Sequence, residues 1–334
     1  MKLHVEQIRD ITRGAVRVTE EKDGIHFYRF TEAQEALYKN VKTDFYTKTH
    51  ATAGIRVEFQ TNSKKLEIKA NFLSATSRKY FSLDVFVNGE LNGYLDNFSN
   101  TDLPENYHTA EYEMGRFSKT FSLGEGEKEV CIYFPWSAIT VIEEIILDDN
   151  AYVKPTKPKK KLLVYGDSIT QGYDALRPSH RYPARIADAF NMEEINKALG
   201  GDVSCPELAQ ERDDFNPDYI MVAYGTNDWS ICTKETAQQN CEGFYKELCN
   251  HYPDTPILTI APIWRKDFCD FRKFGLFHEM EELIRETVKP YKNIRVISGY
   301  GFIPEDENYF SDKYLHPNDA GFEHYFQSLY KEIL

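Results

Sequence analysis

In the second half of the chain, short apolar runs alternate with longer amphipathic stretches. The apolar runs lie at 161–165, 193–197, 218–224, 256–261 and 294–298. Apolar residues recur at helical spacing in 236–252, 278–288 and 319–334. Runs of this length are typical of buried strands, and the amphipathic stretches are typical of helices that pack on a sheet. The pattern predicts an α/β fold with a doubly wound, five-stranded parallel sheet.

The first half of the chain has a different pattern, in which apolar and polar residues alternate with period two. Such segments lie at 66–70, 81–87 and 130–134. Asn88-Gly89 follows one of them, and Asp23-Gly24 precedes another apolar segment. Both pairs are typical of the tight turns that join antiparallel strands. The first half is therefore predicted to be an all-β sandwich of jelly-roll type.

Between the two patterns lies a segment with two prolines and a run of lysines, residues 155–161. Such a change of composition is typical of a linker between domains. A chain of 334 residues is long enough for two domains, each with its own core. We therefore predict an accessory sandwich domain over residues 1–155 and an α/β domain over 156–334.

Composition and charge limit the function classes. The formal net charge of −13 argues against binding to nucleic acid or to an anionic membrane, which both require clustered Lys and Arg. The first residues contain no apolar stretch, so neither a signal peptide nor a membrane span is expected, and a cytoplasmic location is predicted. The six cysteines lie at irregular spacings, which favours reduced thiols over a disulfide framework or a zinc site.

Gly166-Asp167-Ser168-Ile169 directly follows the first apolar run of the α/β region. A turn between a strand and a helix can present a serine hydroxyl at the edge of a sheet, and the start of the helix favours an oxyanion there. The same four residues are also typical of an ordinary turn that caps a helix. Alone, they do not distinguish a nucleophile from a helix start.

Further polar motifs follow other strands of the same predicted sheet. Gly200-Gly201-Asp202 follows the second strand, Asn227-Asp228 the third, and His316-Pro317 comes after the fifth. Each motif alone is compatible with a turn or a helix cap. Ligands bind beyond the carboxyl ends of parallel strands, so the four motifs together predict one site at that edge.

With these motifs the second half of the chain resembles the SGNH hydrolases, also called the GDSL family. The motifs of that family are a Ser in Gly-Asp-Ser, a Gly, an Asn in Gly-x-Asn-Asp and a His before Pro, and all four occur here in order. The resemblance implies that Ser168 is the nucleophile and that His316 acts as base and then as acid. It also implies an oxyanion hole made by the backbone N–H groups of Ser168 and Gly201 and the side-chain amide of Asn227.

Two of these roles can each be filled by more than one group: the glycine of the oxyanion hole and the group that orients the histidine. We prefer Gly201 to Gly200 because Asp202 follows it, which matches the Gly-Asp order of the family motif. The acid that orients the histidine usually lies three residues before it, and Lys313 occupies that place. We predict that Asp312, four residues before, takes this role through a longer loop. The alternative is that a backbone carbonyl of residues 311–315 orients His316, as in dyad-type carbohydrate esterases of this family.

Several polar and aromatic residues near the motifs are candidates for substrate binding, because aromatic rings stack on sugars and charged groups hydrogen-bond to hydroxyls. These candidates are Tyr173, Asp174, Trp229, Trp264 and Arg265. The alternative is that they pack against the sandwich domain. His180 and Arg181 are predicted to be surface or interface residues.

The predicted function is a serine esterase that removes O-acyl groups, most notably O-acetyl groups, from a carbohydrate. A sandwich before an SGNH domain resembles the family-two acetyl xylan esterases, and no long apolar stretch indicates a lipase lid. The expected partner is a small-molecule or oligosaccharide acyl ester, and no metal or organic cofactor is implied. An acyltransferase or thioesterase is the alternative within the same chemistry, and a non-catalytic carbohydrate-binding protein is the alternative from another class.

Overall fold

The computed structural model describes residues 1–41 and 43–334. Residues up to 155 form mainly antiparallel strands. These are β1 (Thr12–Arg13), β2 (Arg17–Glu21), β3 (Gly24–Tyr28), β4 (Arg56–Thr61), β5 (Lys65–Ser74), β6 (Ser82–Val87), β7 (Glu90–Asp96), β8 (Gly115–Ser122), β9 (Lys128–Tyr133), β10 (Ala138–Leu147) and β11 (Lys154–Pro155). The helices of this part are α1 (Val5–Ile11), α2 (Glu32–Val41) and α3 (Thr43–Thr49), with a 3₁₀ turn at Tyr107–Thr109.

The strands form two antiparallel sheets with one apolar core. One sheet has the order β1-β4-β9-β6-β7, with β11 paired to β4, and the other has the order β2-β3-β10-β5-β8. Along β5, Leu66, Ile68 and Ala70 are buried in the core, whereas the residues between them are more exposed. This is the predicted alternation, and it arises because successive side chains of a strand point to opposite faces. The jelly-roll connection stays a prediction.

The turn predicted at Asn88-Gly89 joins two antiparallel strands. Asn88 and Gly89 have φ angles of 52° and 81°, and Val87 pairs with Glu90 across the turn. Positive φ at both central residues is what a type I′ hairpin requires, and Asn and Gly tolerate it best. The hairpin prediction is confirmed, as is the one at Asp23, which lies in the loop between β2 and β3.

The prediction that the first part is all-β is wrong, because it also contains helices. Helix α2 buries Gln34 and Glu35 beside Tyr38, so its inner face has no continuous apolar stripe by which the sequence could reveal it. Helices α2 and α3 extend from the sandwich to the α/β region. Tyr38 and Phe45 pack there with the apolar cluster that includes Leu199.

The α/β region contains a five-stranded parallel sheet, as predicted. Its strands are β12 (Lys160–Gly166), β13 (Met192–Asn196), β14 (Tyr219–Ala223), β15 (Ile257–Ile260) and β16 (Ile294–Ile297). Its helices are α4 (Ser168–Gln171), α5 (Tyr182–Ala189), α6 (Pro206–Gln210), α7 (Thr226–Ile231), α8 (Lys234–His251), α9 (His278–Val288) and α10 (Asp319–Ile333), with 3₁₀ turns at Pro178–His180 and Glu307–Tyr309. No helix among the described residues is long and apolar enough to cross a membrane.

The order of the parallel sheet is β13-β12-β14-β15-β16, so the chain winds in both directions from β12. Residues of α5 and α10 pack in one apolar cluster with the sheet, and residues of α8 and α9 pack in another. A cleft is expected at the carboxyl end of β12, where the strand order reverses. Ser168 begins the helix that follows this strand.

The segment predicted as a linker is built into the structure. Lys154 and Pro155 pair with β4, the Lys159 ammonium lies 3.0 Å from a Glu58 carboxylate oxygen, and β12 begins at Lys160. Close contacts also join the two parts elsewhere: Trp136 Nε1 donates to the carbonyl oxygen of Ala175 at 2.8 Å. The boundary between residues 155 and 156 stays a prediction.

His180 and Arg181 lie near this junction. His180 is half-exposed and its Nδ1 lies 2.9 Å from Asp319 Oδ2. Arg181 is buried, and its guanidinium makes two hydrogen bonds, of 2.9 and 3.0 Å, with the Glu194 carboxylate. Arg181 is therefore a buried residue and not a surface residue.

Candidate active site

The turn after β12 presents Ser168 at the edge of the parallel sheet. Asp167 caps α4, because its Oδ1 accepts a hydrogen bond of 3.0 Å from the N–H of Ile169. Gly166 is required just before it, since a Cβ there would lie 2.4 Å from Thr170 Oγ1. Gly172 ends the helix in the left-handed region at φ 116°. Ser168 is therefore the first residue of a single helical turn fixed at both ends.

Ser168, His316 and Asp312 form a continuous hydrogen-bonded relay. Ser168 Oγ lies 2.9 Å from His316 Nε2, and His316 Nδ1 lies 2.7 Å from Asp312 Oδ2. The extra residue of the loop, Lys313, has left-handed backbone at φ 55°, which lets the chain turn back within four residues. A carboxylate, and not a backbone carbonyl, thus contacts Nδ1 of the imidazole. The distances and the order of the groups are those of a Ser-His-Asp triad.

The Asp312 carboxylate is also held by its own loop. Its Oδ1 accepts hydrogen bonds from the N–H groups of Tyr314, Leu315 and His316 at 2.9, 2.7 and 3.1 Å. Burial alone would raise the pKa of this carboxyl. The hydrogen bond and charge of His316, together with the backbone N–H groups, outweigh burial and hold the pKa of Asp312 well below its usual range. Asp312 is therefore ionised, as a group that stabilises an imidazolium must be.

The hydrogen bonding of the three predicted oxyanion donors separates Gly201 from Gly200. The N–H of Ser168 lies in the first turn of α4, where the helix itself supplies no partner. Gly200 donates its N–H to Gln171 Oε1 at 2.8 Å, whereas no described residue accepts a hydrogen bond from the N–H of Gly201. Asn227 Nδ2 donates to the carbonyl oxygen of Asp202 at 2.8 Å, which fixes the amide beside Gly201. The bonding therefore favours Gly201 over Gly200 as a donor.

Three buried carboxyl groups lie around the site, on Asp167, Asp202 and Asp228. Burial is the main cause that raises the pKa of Asp167 to about 7, of Asp202 to about 7 and of Asp228 to about 6. Their hydrogen bonds oppose the shift only in part: Asp202 Oδ2, for example, accepts one from the Tyr38 hydroxyl at 2.6 Å. Keeping these groups ionised above neutral pH destabilises the folded protein.

Replacing Asp167 by asparagine is expected to remove part of this pH dependence. Asparagine retains the N-cap to Ile169 but has no charge to bury. Because the folded-state pKa of Asp167 is raised to about 7, the folded protein binds more protons than the unfolded chain from about pH 4 upward, and its stability falls until the pH passes about 7. Each pKa unit corresponds to about 1.4 kcal/mol, so the variant should gain a few kcal/mol relative to the wild type at pH 8 and little at pH 4.

The measurement is the melting temperature of both proteins from pH 4 to pH 8. Asp102→Asn, at an exposed position, is the matched control and should follow the wild type at every pH. If the melting temperatures of the wild type and Asp167→Asn differed by the same amount at every pH, Asp167 would not be a buried group that ionises near neutral pH.

Most of the residues predicted to bind substrate are buried, and two of these predictions are wrong. Trp229 is fully buried, packs against Phe277 and donates its indole N–H to the Gly275 carbonyl oxygen at 3.1 Å. Asp174 is also fully buried, and its Oδ1 lies 2.6 Å from Arg78 Nε. Neither side chain offers a surface to a ligand.

The other three candidates also have partners within the protein. Trp264 is 6% exposed and packs against Phe310, and Arg265 is 3% exposed and pairs with Asp267. The ring of Tyr173 is stacked on the imidazole of His316 with centroids 5.6 Å apart. These residues follow their strands as predicted and are about as exposed as Ser168, so their contact with a substrate stays a prediction.

Packing against the sandwich, the alternative to substrate contact, is what the structure shows for Tyr173 and Asp174. The ring of Tyr173 lies 5.0 Å from that of Trp136, and Asp174 binds Arg78. Asp174 Oδ2 also lies 4.0 Å from His316 Nδ1, which makes it a second carboxylate near the imidazole. Arg78 could not be identified from the sequence, because it lies outside every motif and reaches the site only through the tertiary fold.

Serine acyl hydrolases use a serine, a histidine and a carboxylate in this order, and here the three groups lie at the carboxyl edge of a parallel sheet. Residues 164–324 match the model of the GDSL-like lipase/acylhydrolase family and form a domain of that type. The family indicated by the sequence motifs is thereby confirmed. No curated protein matches the chain.

Solved structures resemble the chain over nearly its whole length. The salicylyl-acyltransferase SsfX3 from a tetracycline biosynthetic pathway has 21% identity and a TM-score of 0.82, with 96% of this chain and 93% of that chain covered. A protein from Bacteroides ovatus described as a GDSL-like lipase has 22% identity and a TM-score of 0.76, with 100% and 96% covered. The acetyl xylan esterase Est2A from the rumen bacterium Butyrivibrio proteoclasticus has 14% identity and a TM-score of 0.65, with 100% and 98% covered. At these identities the likeness shows that the fold, including the preceding strands, is shared.

Proposed function

We propose that the protein is a serine esterase that hydrolyses O-acyl esters, and O-acetyl esters of a carbohydrate in particular. The observation that carries this proposal is the relay from Ser168 Oγ through His316 to Asp312, with distances of 2.9 and 2.7 Å. Such a relay serves to activate a hydroxyl for attack on a carbonyl carbon. The acyl-hydrolase family of residues 164–324 supports the same chemistry.

In the first half of the reaction, Ser168 Oγ attacks the ester carbonyl and His316 Nε2 takes the hydroxyl proton. Asp312 stabilises the imidazolium that forms. The negative charge that develops on the carbonyl oxygen is stabilised by the N–H groups of Ser168 and Gly201 and by the Asn227 amide. The tetrahedral intermediate then collapses, the bond to the alcohol oxygen breaks, and His316 gives its proton to the leaving alcohol.

The second half of the reaction releases the acid. Water attacks the acyl group on Ser168 while His316 takes a proton from the water. The same donors stabilise the second oxyanion, and the bond to Ser168 Oγ then breaks as His316 returns the proton to it. The products are a carboxylic acid and the free enzyme, so no further reactant is needed.

A small acyl group fits the enclosure of the nucleophile. Ser168 is 5% exposed and the side chain of His316 is 16% exposed, so the ester must approach a hydroxyl that the protein largely encloses. The fold shared with an acetyl xylan esterase also favours an acetylated carbohydrate as substrate. The test is an acetate-release screen across acetylated xylo-, manno- and sialo-type oligosaccharides, with longer acyl esters and Ser168→Ala alongside. Good cleavage of the longer esters with no acetate release would contradict the proposed substrate.

Acyl transfer is a second candidate, in which an alcohol replaces water in the second half of the reaction. It is favoured by the whole-length likeness, at a TM-score of 0.82, to a salicylyl-acyltransferase. A thioesterase would use the same residues on a different acyl donor. Product analysis with an added alcohol distinguishes transfer, which forms a new ester, from hydrolysis, which forms only the acid. The cytoplasmic location and the lack of nucleic-acid or membrane partners stay predictions.

A further inference from the structure

The peptide group between Gly200 and Gly201 is contacted by a lysine from the first part of the chain. Lys48 Nζ, at the end of α3, donates a hydrogen bond of 2.9 Å to the Gly200 carbonyl oxygen. That carbonyl belongs to the same peptide group as the N–H of Gly201. One side of the peptide therefore accepts from an ammonium, and the other side carries the N–H assigned to the oxyanion hole.

The Lys48 ammonium is held in place by its own helix. Nζ lies 3.1 Å from Asp44 Oδ2 and 4.8 Å from the centroid of the Phe45 ring. The ring of Phe45 would in turn lie 3.4 Å from a Cβ placed on Gly201. The side chain of Lys48 is 15% exposed, whereas that of Asp44 is 58% exposed. The Lys48 ammonium is therefore less hydrated than the Asp44 carboxylate, and a hydrogen bond from a charged donor is stronger there than in water.

Two residues that precede α3 in the sequence hold the chain on both sides of this peptide. The buried Arg29 donates to the carbonyl oxygens of Ala198 at 2.9 Å and Lys48 at 3.1 Å, so one guanidinium links α3 to the loop before Gly200. On the other side, the Tyr38 hydroxyl donates to Asp202 Oδ2 at 2.6 Å. The position of Lys48 relative to Gly200 is thus fixed by contacts that do not involve the Lys48 side chain.

A hydrogen bond from a charged donor polarises the peptide that accepts it. Electron density moves toward the carbonyl oxygen, and the N–H of the same peptide becomes a stronger donor. The ammonium also attracts the charge that develops on the substrate oxygen in the transition state, and no comparable charge exists in the bound ester. Both effects act on the transition state more than on substrate binding.

We propose that Lys48 is a positioning residue of the oxyanion hole, which orients and polarises the Gly200–Gly201 peptide from outside the α/β region. The inference rests on the proposed function, because it assigns a role in the same reaction. It also assigns a role in the reaction to residues before the α/β region, because the ammonium on α3 is a group that the motifs of the α/β region do not supply.

The test compares Lys48→Met, Lys48→Arg and the wild type, with kcat normalised to the amount of Ser168 that a fluorophosphonate labels at saturation. This normalisation removes any contribution from unfolded protein. Loss of one direct oxyanion donor lowers kcat by about 10²–10³-fold, so loss of a group that acts through a donor should lower it by about tenfold, with KM changed less than about twofold. The rate of fluorophosphonate labelling should fall by a similar factor, because that reaction also places charge on an oxygen in the hole. Lys48→Arg, which keeps a charged donor, should recover most of both rates.

Lys39→Met is the matched control, since Lys39 is exposed on the neighbouring helix, and it should behave as the wild type. If the wild type is active and Lys48→Met lowers kcat by less than about twofold, the inference about Lys48 is overturned, whereas the proposed function is not. A change in KM without a change in kcat would also overturn the inference about Lys48. So would a loss of kcat in Lys48→Arg equal to that in Lys48→Met, because both results indicate that Lys48 acts through packing and not through its charge. A wild type that neither hydrolyses an ester nor reacts with the fluorophosphonate would overturn the proposed function and this inference together.

Discussion

Replacing Ser168 by alanine is expected to lower kcat for ester hydrolysis by at least about 10⁴-fold, because the variant lacks the oxygen that attacks the ester carbonyl in the first step. Ser168 Oγ lies 2.9 Å from His316 Nε2, and removal of the hydroxyl leaves the imidazole without a group to deprotonate in the first step. Residual activity would come from the oxyanion donors and from water activated directly by His316. The measurement is kcat with an acetylated oligosaccharide under saturating conditions.

Two controls separate a chemical effect from a structural one. Ser118→Ala changes an exposed serine of β8 and should retain full activity. The melting temperature of Ser168→Ala should stay close to that of the wild type, because the removed hydroxyl makes no contact that holds the turn; the cap is made by Asp167. A Ser168→Ala variant that keeps more than a few per cent of wild-type activity would show that the ester is hydrolysed by another group.

Replacing Asp312 by asparagine is expected to lower kcat by about 10³–10⁴-fold. It should also lower the stability at neutral pH, because the depressed pKa of Asp312 means that its ionised carboxylate stabilises the folded protein. The amide oxygen can still accept the backbone N–H groups of residues 314–316, so the loop keeps its shape. The amide nitrogen would face His316 Nδ1, however, and would favour the tautomer that carries its proton on Nε2. That tautomer cannot accept the proton of Ser168.

The Asp312→Asn measurement also distinguishes the carboxylate from other groups near the imidazole. Glu305→Gln removes a charge from an exposed position in the same region and should leave kcat unchanged. A loss of less than about tenfold in Asp312→Asn would remove Asp312 from the mechanism. Asp174, whose Oδ2 lies 4.0 Å from His316 Nδ1, would then be the carboxylate to examine next.

The parallel sheet and the order of the active-site motifs could be predicted from the sequence for a physical reason. Buried parallel strands need continuous apolar runs, and their carboxyl ends must meet at one edge, so a polar motif after each run indicates a shared site. Ser168 and His316 are 148 residues apart in sequence, yet their side chains lie within hydrogen-bond distance. The strand pattern, rather than local sequence, brings them together.

What could not be predicted depends on contacts between distant segments. Helix α2 has polar residues on its inner face and so lacks the signature of a buried helix. Trp229 follows a motif as a ligand-binding residue would, but Gly275 and Phe277, far along the chain, enclose its ring. Arg78 and Lys48 reach the site from segments without motifs. Their roles depend on how the sandwich packs against the α/β region, which the periodicity of neither part encodes.

Covalent labelling followed by peptide mass spectrometry identifies the nucleophile directly. A fluorophosphonate should give one adduct per chain, on the peptide that contains Ser168, because His316 activates this hydroxyl and the oxyanion donors stabilise the product. The adduct should be absent from Ser168→Ala and should form much more slowly in Asp312→Asn. The absence of an adduct, or its location on another residue, would contradict the assignment of this site and favour a protein that only binds its ligand.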